Sequence, residues 1–311
     1  MDQPFSTHCS NTHVHILLCS HNGADLIEEQ LDSFLAQTYQ DWSLWVSDDG
    51  SNDATLEKLD QFARKHPGRV ACIVEGPGLG IAANFLHLLS HSDLPLGLVA
   101  LSDQDDVWLP HKLERAVTQL SQAGDAPCVW AARYWYTDAQ LKPLRCSVSW
   151  RRGPSLENAL VQNILSGHTI TLNPAALALV RQAGLPPVAH HDWWIYLLSM
   201  ACGAQAIIDQ EPALFYRQHS ANAVGQQSTL TARLRRLSAL KSGLMGEWIK
   251  SNLTALIASD LPLTPQARDI ARIWMETNPN DRYRVLQSMG IHRQSWAETA
   301  LIHLAARVGK L

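Results

Sequence analysis

The chain has 311 residues, 46% hydrophobic and 17% charged, with 25 Lys and Arg against 29 Asp and Glu. Such a length buries a sizeable core and fits one large domain or two modest ones, which excludes a disulfide-stapled miniprotein. A formal net charge of −4 argues against a general nucleic-acid binder, which would show an excess of basic residues across the domain.

The first hundred residues alternate short β-rich apolar runs with helical patterns, the signature of strands joined by crossover helices in a mostly parallel sheet. Residues 13–19 read as the first strand. Asp25 is placed to cap a helix, with Glu28 completing a capping box ahead of Ile27, Leu31, Phe34 and Leu35 at helical spacing. A second strand follows at 42–47. Asp53 then caps a helix with the stripe Leu56, Leu59 and Phe62, and a third strand runs over 69–74. After the glycine loop Gly76-Pro77-Gly78-Leu79-Gly80 comes a helix through Phe85 and Leu89. The fourth strand, 98–101, ends in Ser102-Asp103-Gln104-Asp105-Asp106, and Pro110 opens a helix with the face Leu113, Val117 and Leu120.

Beyond residue 125 the rhythm loosens. Strands are expected at 128–136 and 168–172, and helices at 155–164, 175–182 and 193–200, the last begun by Asp192. From about 228 onward the pattern is helical, punctuated by Pro262, Pro265 and Pro279. The chain therefore divides into residues 1–226 and a C-terminal helical region, 227–311. The six cysteines form no CxxC pair and sit mostly in apolar runs, and no basic, apolar leader opens the chain, which fits reduced thiols of a cytosolic protein. The stretch 193–208 is too short and too interrupted to span a bilayer.

Chemistry concentrates at two acidic turns. Three carboxylates within Asp103-Gln104-Asp105-Asp106 repel one another and are tolerated as anions chiefly around a cation or strong donors. In an extended segment Asp103 and Asp105 face one side, so they present two hard oxygen ligands to Mg²⁺ or Mn²⁺; a solvated loop is the plainer alternative. The second turn, Ser47-Asp48-Asp49-Gly50-Ser51-Asn52-Asp53, closes strand two. An Asx turn and a helix cap explain Gly50 and Asp53 but not Asp48 and Asp49. In an open α/β sheet both turns share the rim at the carboxyl ends of the strands, where ligands bind. The segment Gly78-Leu79-Gly80-Ile81-Ala82-Ala83 fits a dinucleotide-binding GxGxxA pattern, but it follows the third strand rather than the first, which disfavours NAD.

In order and spacing these motifs resemble the GT-A glycosyltransferases, in particular the inverting family 2, over roughly residues 13–225. Ser20-His21-Asn22-Gly23 resembles the family's first nucleotide turn, Asp48-Asp49-Gly50-Ser51-Asn52-Asp53 its nucleoside-contacting turn, and Gly80 to Asn84-Phe85 its G-x-x-x-N-F segment. Ser102-Asp103-Gln104-Asp105-Asp106-Val107-Trp108 is similar to the DxD motif of rhamnosyltransferase-like members. The resemblance implies a GT-A α/β fold with a helical appendage. It also implies donor-nucleotide contacts from Ser20, Asn22, Asp48, Asp49, Gly80, Asn84 and Asp103, and a divalent metal, Mg²⁺ or Mn²⁺, held by Asp103, Asp105 and His219.

The same resemblance makes Asp192, in His190-His191-Asp192-Trp193-Trp194, the catalytic base, whereas the residues alone favour an N-cap for the helix containing Trp193, Trp194 and Leu197. Gly167 and His191 fall to the donor and acceptor side. Trp108 and Trp193 offer flat faces for sugar rings or, alternatively, fill the core. The implied activity is transfer of a sugar, rhamnose among the candidates, from a nucleotide-diphosphate donor to a glycan in cell-surface polysaccharide or O-antigen assembly. The competing reading is a catalytically silent sugar-nucleotide or glycan-binding module. Residues 229–250 carry Leu230, Leu234, Leu237, Leu244 and Trp248 with a local basic excess. That pattern suits peripheral contact with an anionic membrane, with a lipid-linked acceptor at its inner face, or packing on the catalytic domain or a homodimer partner.

Overall fold

A computed structural model describes residues 12–218, 238, 240 and 242–311. The expected boundary at 226 and the candidate ligand His219 lie outside the described residues, as does half of the basic stretch 229–250. The described residues form a nine-stranded sheet flanked by helices. Its first half is built from β1 (Val14–Ser20), β2 (Trp42–Asp48), β3 (Val70–Glu75) and β4 (Leu98–Ser102), in the spatial order β3-β2-β1-β4, every pair parallel. Helices α1 (Ile27–Leu35), α2 (Thr55–Lys65) and α3 (Ile81–Leu89) are the crossovers.

Period-two alternation fixes the layers. Val14, Ile16 and Leu18 of β1 join the core under α1 and α2, whereas Leu17 and Cys19 join the one under α3. The expected Asp25 cap is not made: α1 begins after Leu26 with no side-chain cap. Asp53 sits one residue ahead of the α2 cap position, where its carboxylate accepts from the backbone and hydroxyl of Thr55 and from Ala24 N–H.

Past β4 the sheet is mixed. β5 (Val107–Trp108), α4 (Lys112–Ser121), β6 (Cys128–Thr137), β7 (Pro143–Cys146), the short α5 (Leu156–Ala159), β8 (Thr171–Leu172), α6 (Pro174–Gln182), α7 (His191–Ala201) and β9 (Gln205–Arg217) follow in order. The sheet continues β4-β8-β6-β9-β5, with β6 parallel to β9 and antiparallel to β8. The helix expected over 155–164 shrinks to α5, capped by Ser155, and the strand expected at 168–172 becomes a 3₁₀ turn at Gly167–Thr169 followed by β8.

The C-terminal region holds α8 (Leu244–Ala258), α9 (Pro265–Glu276), α10 (Arg282–Ser288) and α11 (Trp296–Arg307). Ile249, Leu256, Trp274, Leu286 and Ile302 share one apolar cluster with Leu101, Val129 and Trp194, so these helices close the core on the α3 side of the sheet. Among the described residues no helix is long and apolar enough to cross a membrane.

Candidate active site

A cavity of about 710 Å³ opens at the carboxyl ends of β1, β2 and β4. It is lined by Ser20, Asp49, Gly80, Asn84, Asp103, Asp105, Gly167, His191 and Asp192 together with Cys19, Tyr134, His168 and Tyr216. The two acidic turns meet there because β1 pairs in parallel with both β2 and β4, Ser20 opposite Asp48 and Leu18 opposite Ser102.

The second-strand turn divides its labour. Asp48 is buried and organises the turn, accepting from Ser20 Oγ at 2.7 Å, Ser51 N–H at 2.7 Å and Ser51 Oγ at 2.6 Å. Asp49 faces the cavity, and its carboxylate accepts from Gly78 N–H at 2.7 Å and Gly80 N–H at 2.8 Å, pinning the glycine loop. Gly78 and Gly80 both have φ in the left-handed region, which explains glycine at each. Asn84 is buried and binds both the hydroxyl and the carbonyl of Ser47. Asn22, with φ of 49°, accepts from Asn52 N–H and lies outside the cavity lining, as does Asp48.

The other turn is clamped from both ends. Gln104 exchanges two hydrogen bonds with the backbone of His21, and Trp108 in β5 is buried against Phe34 with the Lys112 ammonium over its ring. Trp108 is therefore a core residue. So is Trp193, whose indole N–H donates to the carbonyl of Ala159 at 2.6 Å. Neither lines the cavity; Tyr134 and Tyr216 are the aromatic residues that do.

The tight acidic group differs from the expected one. Residues 103–106 bend instead of extending, so alternation does not govern them and Asp106 turns inward, completely buried. His168 Nδ1 lies 3.4 Å from Asp106 Oδ2 and 3.6 Å from Asp103 Oδ2. Asp103, Asp106 and His168 each offer one ligand atom within 4.8 Å of the others, while Asp105 lines the cavity mouth, half-buried. Among the described residues His168 Nε2 has no hydrogen-bond partner, and the Asp106 oxygens meet only the 3.4 Å approach of His168 Nδ1 and the backbone N–H of Arg217. Buried acceptors with so few partners are costly, and a hard divalent cation matches two carboxylates and an imidazole, so the donor set fits a metal.

Burial alone would raise the Asp103 carboxyl, but His168, His191 and Lys112 hold it below the ordinary carboxylate range. Burial pushes Asp106 well up, and Asp105 and Asp103 add to the effect. Lys112, fully buried, is pushed well down by desolvation against the pull of Asp106 and Asp103.

On the opposite wall, Asp192 sits in the first turn of α7 rather than at its cap, which is His190. Its Oδ1 accepts from Trp193 N–H at 2.7 Å and its Oδ2 from Gly167 N–H at 3.3 Å. A Cβ on Gly167 would approach His191 Nε2 to 2.8 Å, so glycine lets that loop close on α7. His191 is stacked on Phe85 at 4.2 Å, and burial lowers its ring below the usual histidine range. Sequence reasoning missed Asp106, His168, Lys112, Tyr134 and Tyr216. The signal available for Asp106 and Lys112 was their place in one short segment, Asp106 to Lys112, whose polar ends flank apolar Val107, Trp108 and Leu109.

A curled sheet with an acidic, glycine-rimmed cleft at its strand ends is the architecture of the GT-A glycosyltransferases. S. aureus TarS residues 1–349, solved in complex with UDP-GlcNAc, aligns with a TM-score of 0.60 over 96% of this chain and 88% of its own, at 12% identity. The mannosyltransferase PcManGT from Pyrobaculum calidifontis, solved with GDP-Man and Mn²⁺, aligns with a TM-score of 0.52 over 96% and 86%, at 19% identity. The chain belongs to glycosyl transferase family 2, whose sequence profile matches residues 15–179, more than half its length. It is also 26% identical, over 77% of its length and 83% of the relative's, to the dTDP-rhamnosyl transferase RfbG of Shigella flexneri.

Proposed function

We propose that the protein is a metal-dependent, inverting glycosyltransferase that moves a sugar from a nucleotide-diphosphate donor to a glycan acceptor, lipid-linked in cell-surface polysaccharide or O-antigen assembly. Residues 1–226 would form the catalytic unit and 227–311 its helical appendage. The observation that carries the reading is the meeting, in one cavity of about 710 Å³, of Asp49, the glycine loop, the Asp103 turn, Gly167 and Asp192.

Donor binding falls to Ser20, Asn22, Asp48, Asp49, Gly80, Asn84 and Asp103, directly or by holding the turns that frame the nucleotide. Asp103, Asp106 and His168 would hold Mg²⁺ or Mn²⁺, with Asp105 and His219 as the further ligands that the family resemblance assigns. When bound, the ion supplies Lewis-acid stabilisation to the departing diphosphate. Asp192 takes the proton of the acceptor hydroxyl, and that oxygen attacks the anomeric carbon from the face opposite the leaving group, inverting its configuration without a covalent intermediate. Gly167 N–H keeps Asp192 Oδ2 aimed into the cleft. Kinship to a dTDP-rhamnosyl transferase supports dTDP-rhamnose as the donor.

The test is release of nucleotide diphosphate from a panel of dTDP-, UDP- and GDP-sugars with and without Mn²⁺ or Mg²⁺, using an Asp105→Ala control. Metal-dependent turnover of dTDP-rhamnose, lost in the control, is expected. Binding of a donor without turnover, even with lipid-linked acceptors supplied, assigns the protein instead to a silent sugar-nucleotide-binding module.

A further inference from the structure

Helix α11 is apolar on both sides. Its inner face buries Ile302, Ala305 and Ala306. Its outer face carries Trp296 (83% exposed), Ala300, Leu304 (58%) and Val308 (61%), four residues apart each time, with exposed Ala297 beside them and Arg307 as the charge among them. A helix on the surface of a globular protein ordinarily turns its charges to that side. Here the other polar side chains are engaged elsewhere: Glu298 pairs with Arg293, and His303 meets the carbonyl of Ile291. Trp296 is the most exposed large hydrophobic residue among those described.

Two further facts select the occupant. The stripe is about 18 Å long at 1.5 Å per residue and about 10 Å wide, so it offers on the order of 200 Å², far short of the roughly 800 Å² per partner of a stable protein interface. Arg307 and Lys310 are exposed bases at the end of the stripe, and the acids near it, Asp281 and Glu298, are paired with Arg284 and Arg293, in a chain whose net charge is −4. A Trp-bearing apolar stripe with Arg307 and Lys310 at its end matches an anionic bilayer surface, where small insertion area and charge attraction act together.

We infer that the outer face of α11 docks the protein on an anionic lipid bilayer through Trp296, Leu304 and Val308. The inference stands on this helix face and survives failure of the lipid-linked acceptor reading. The experiment is co-sedimentation of the full chain with vesicles of phosphatidylcholine alone or with roughly one-third phosphatidylglycerol, neither holding a glycan acceptor. Binding to the anionic vesicles that falls with added salt is expected. The double variant Trp296→Ala, Leu304→Ser should weaken partition about tenfold or more while its melting curve and far-ultraviolet spectrum stay unchanged, since both side chains are exposed. Failure of the wild-type chain to bind, equal binding to neutral vesicles, or equal binding by the variant each overturns the inference. A lipid-free dimer that Trp296→Ala dissociates overturns it too, by giving the face to a second copy.

Discussion

Lys112 Nζ donates a 2.8 Å hydrogen bond to the main-chain carbonyl of His168, joining α4 to the loop that carries one corner of the acidic group. The ammonium also lies 3.3 Å from the centre of the Trp108 ring and is the nearby cation for Asp106 and Asp103. It is completely buried. A single side chain thus faces the acids, holds the loop that carries the imidazole and packs on β5.

Replacing Lys112 by Met should leave the His168 carbonyl and the Asp106 carboxylate uncompensated, at a cost of about 3 kcal/mol or more in unfolding free energy. In the double variant Lys112→Met, Asp106→Asn part of that loss should return. Urea denaturation of the four proteins in the cycle measures the coupling, and a single Lys112→Met loss below about 1 kcal/mol contradicts it.

Gly23 has no room for a side chain while Gln104 keeps its place, because a Cβ there would collide with Gln104 Oε1. Gly23→Ala should push Gln104 off the His21 backbone and loosen the Asp103 turn. The expected result is donor affinity about tenfold weaker with stability lowered by only about 1 kcal/mol, and Gln104→Ala should reproduce the affinity loss. Titration calorimetry with the nucleotide-sugar donor reads it. Unchanged affinity in both variants would show that the clamp is irrelevant to the nucleotide.

The buried, sparsely partnered carboxylate of Asp106 beside Asp103 and His168 predicts where the ion binds. Mn²⁺ should raise the melting temperature of the wild-type protein, and Asp106→Asn or His168→Ala should weaken the ion's affinity at least tenfold by calorimetry. Chelation should reverse the stabilisation. Full Mn²⁺ affinity in Asp106→Asn would remove Asp106 from the ligand set.

Away from the cleft, His15 in β1 sets a pH dependence of folding. Burial, then the neighbouring His13 and Arg181, lower its ring from 6.5 to about 4, with Asp41 opposing. The unfolded chain therefore takes up a proton near pH 6.5 that the folded chain refuses until about pH 4. The stability from neutral His15 is complete above pH 6.5 and drains away as pH falls toward 4, by about 3 kcal/mol in all at 1.36 kcal/mol per unit. His15→Gln should flatten unfolding free energy against pH across that window; an unchanged slope would show that another group titrates.

Much of this architecture is legible in the residues themselves. The first four strands and their crossover helices announce themselves by alternation and periodicity, and acids at two strand ends mark the rim because parallel pairing puts those ends together. What fails is whatever depends on depth. Asp103 and Asp105 fall on one side only if the backbone is extended, and the bend at 104–105 sends Asp106 inward instead. His168 reaches the acids through a 3₁₀ turn that no local pattern distinguishes from a strand. The thirteen-residue β9 was hidden by Asp209-Gln210-Glu211-Pro212, whose polar, proline-ended run is absorbed where its register with β6 shifts. Trp108 and Trp193 were open to either use by chemistry, and packing turned both inward.

Cys19 lines the cavity floor between Leu18 and Ser20, and burial followed by the nearby Asp103 and Asp49 pushes its thiol well up. Alkylating agents and mild oxidants attack thiolates, so this sulfur is a poor target although it borders the cleft. The cleft is thereby shielded from chemistry that would otherwise report on it. Maleimide dyes can label the half-buried Cys146 to follow the protein by fluorescence, and the donor pocket stays unmodified.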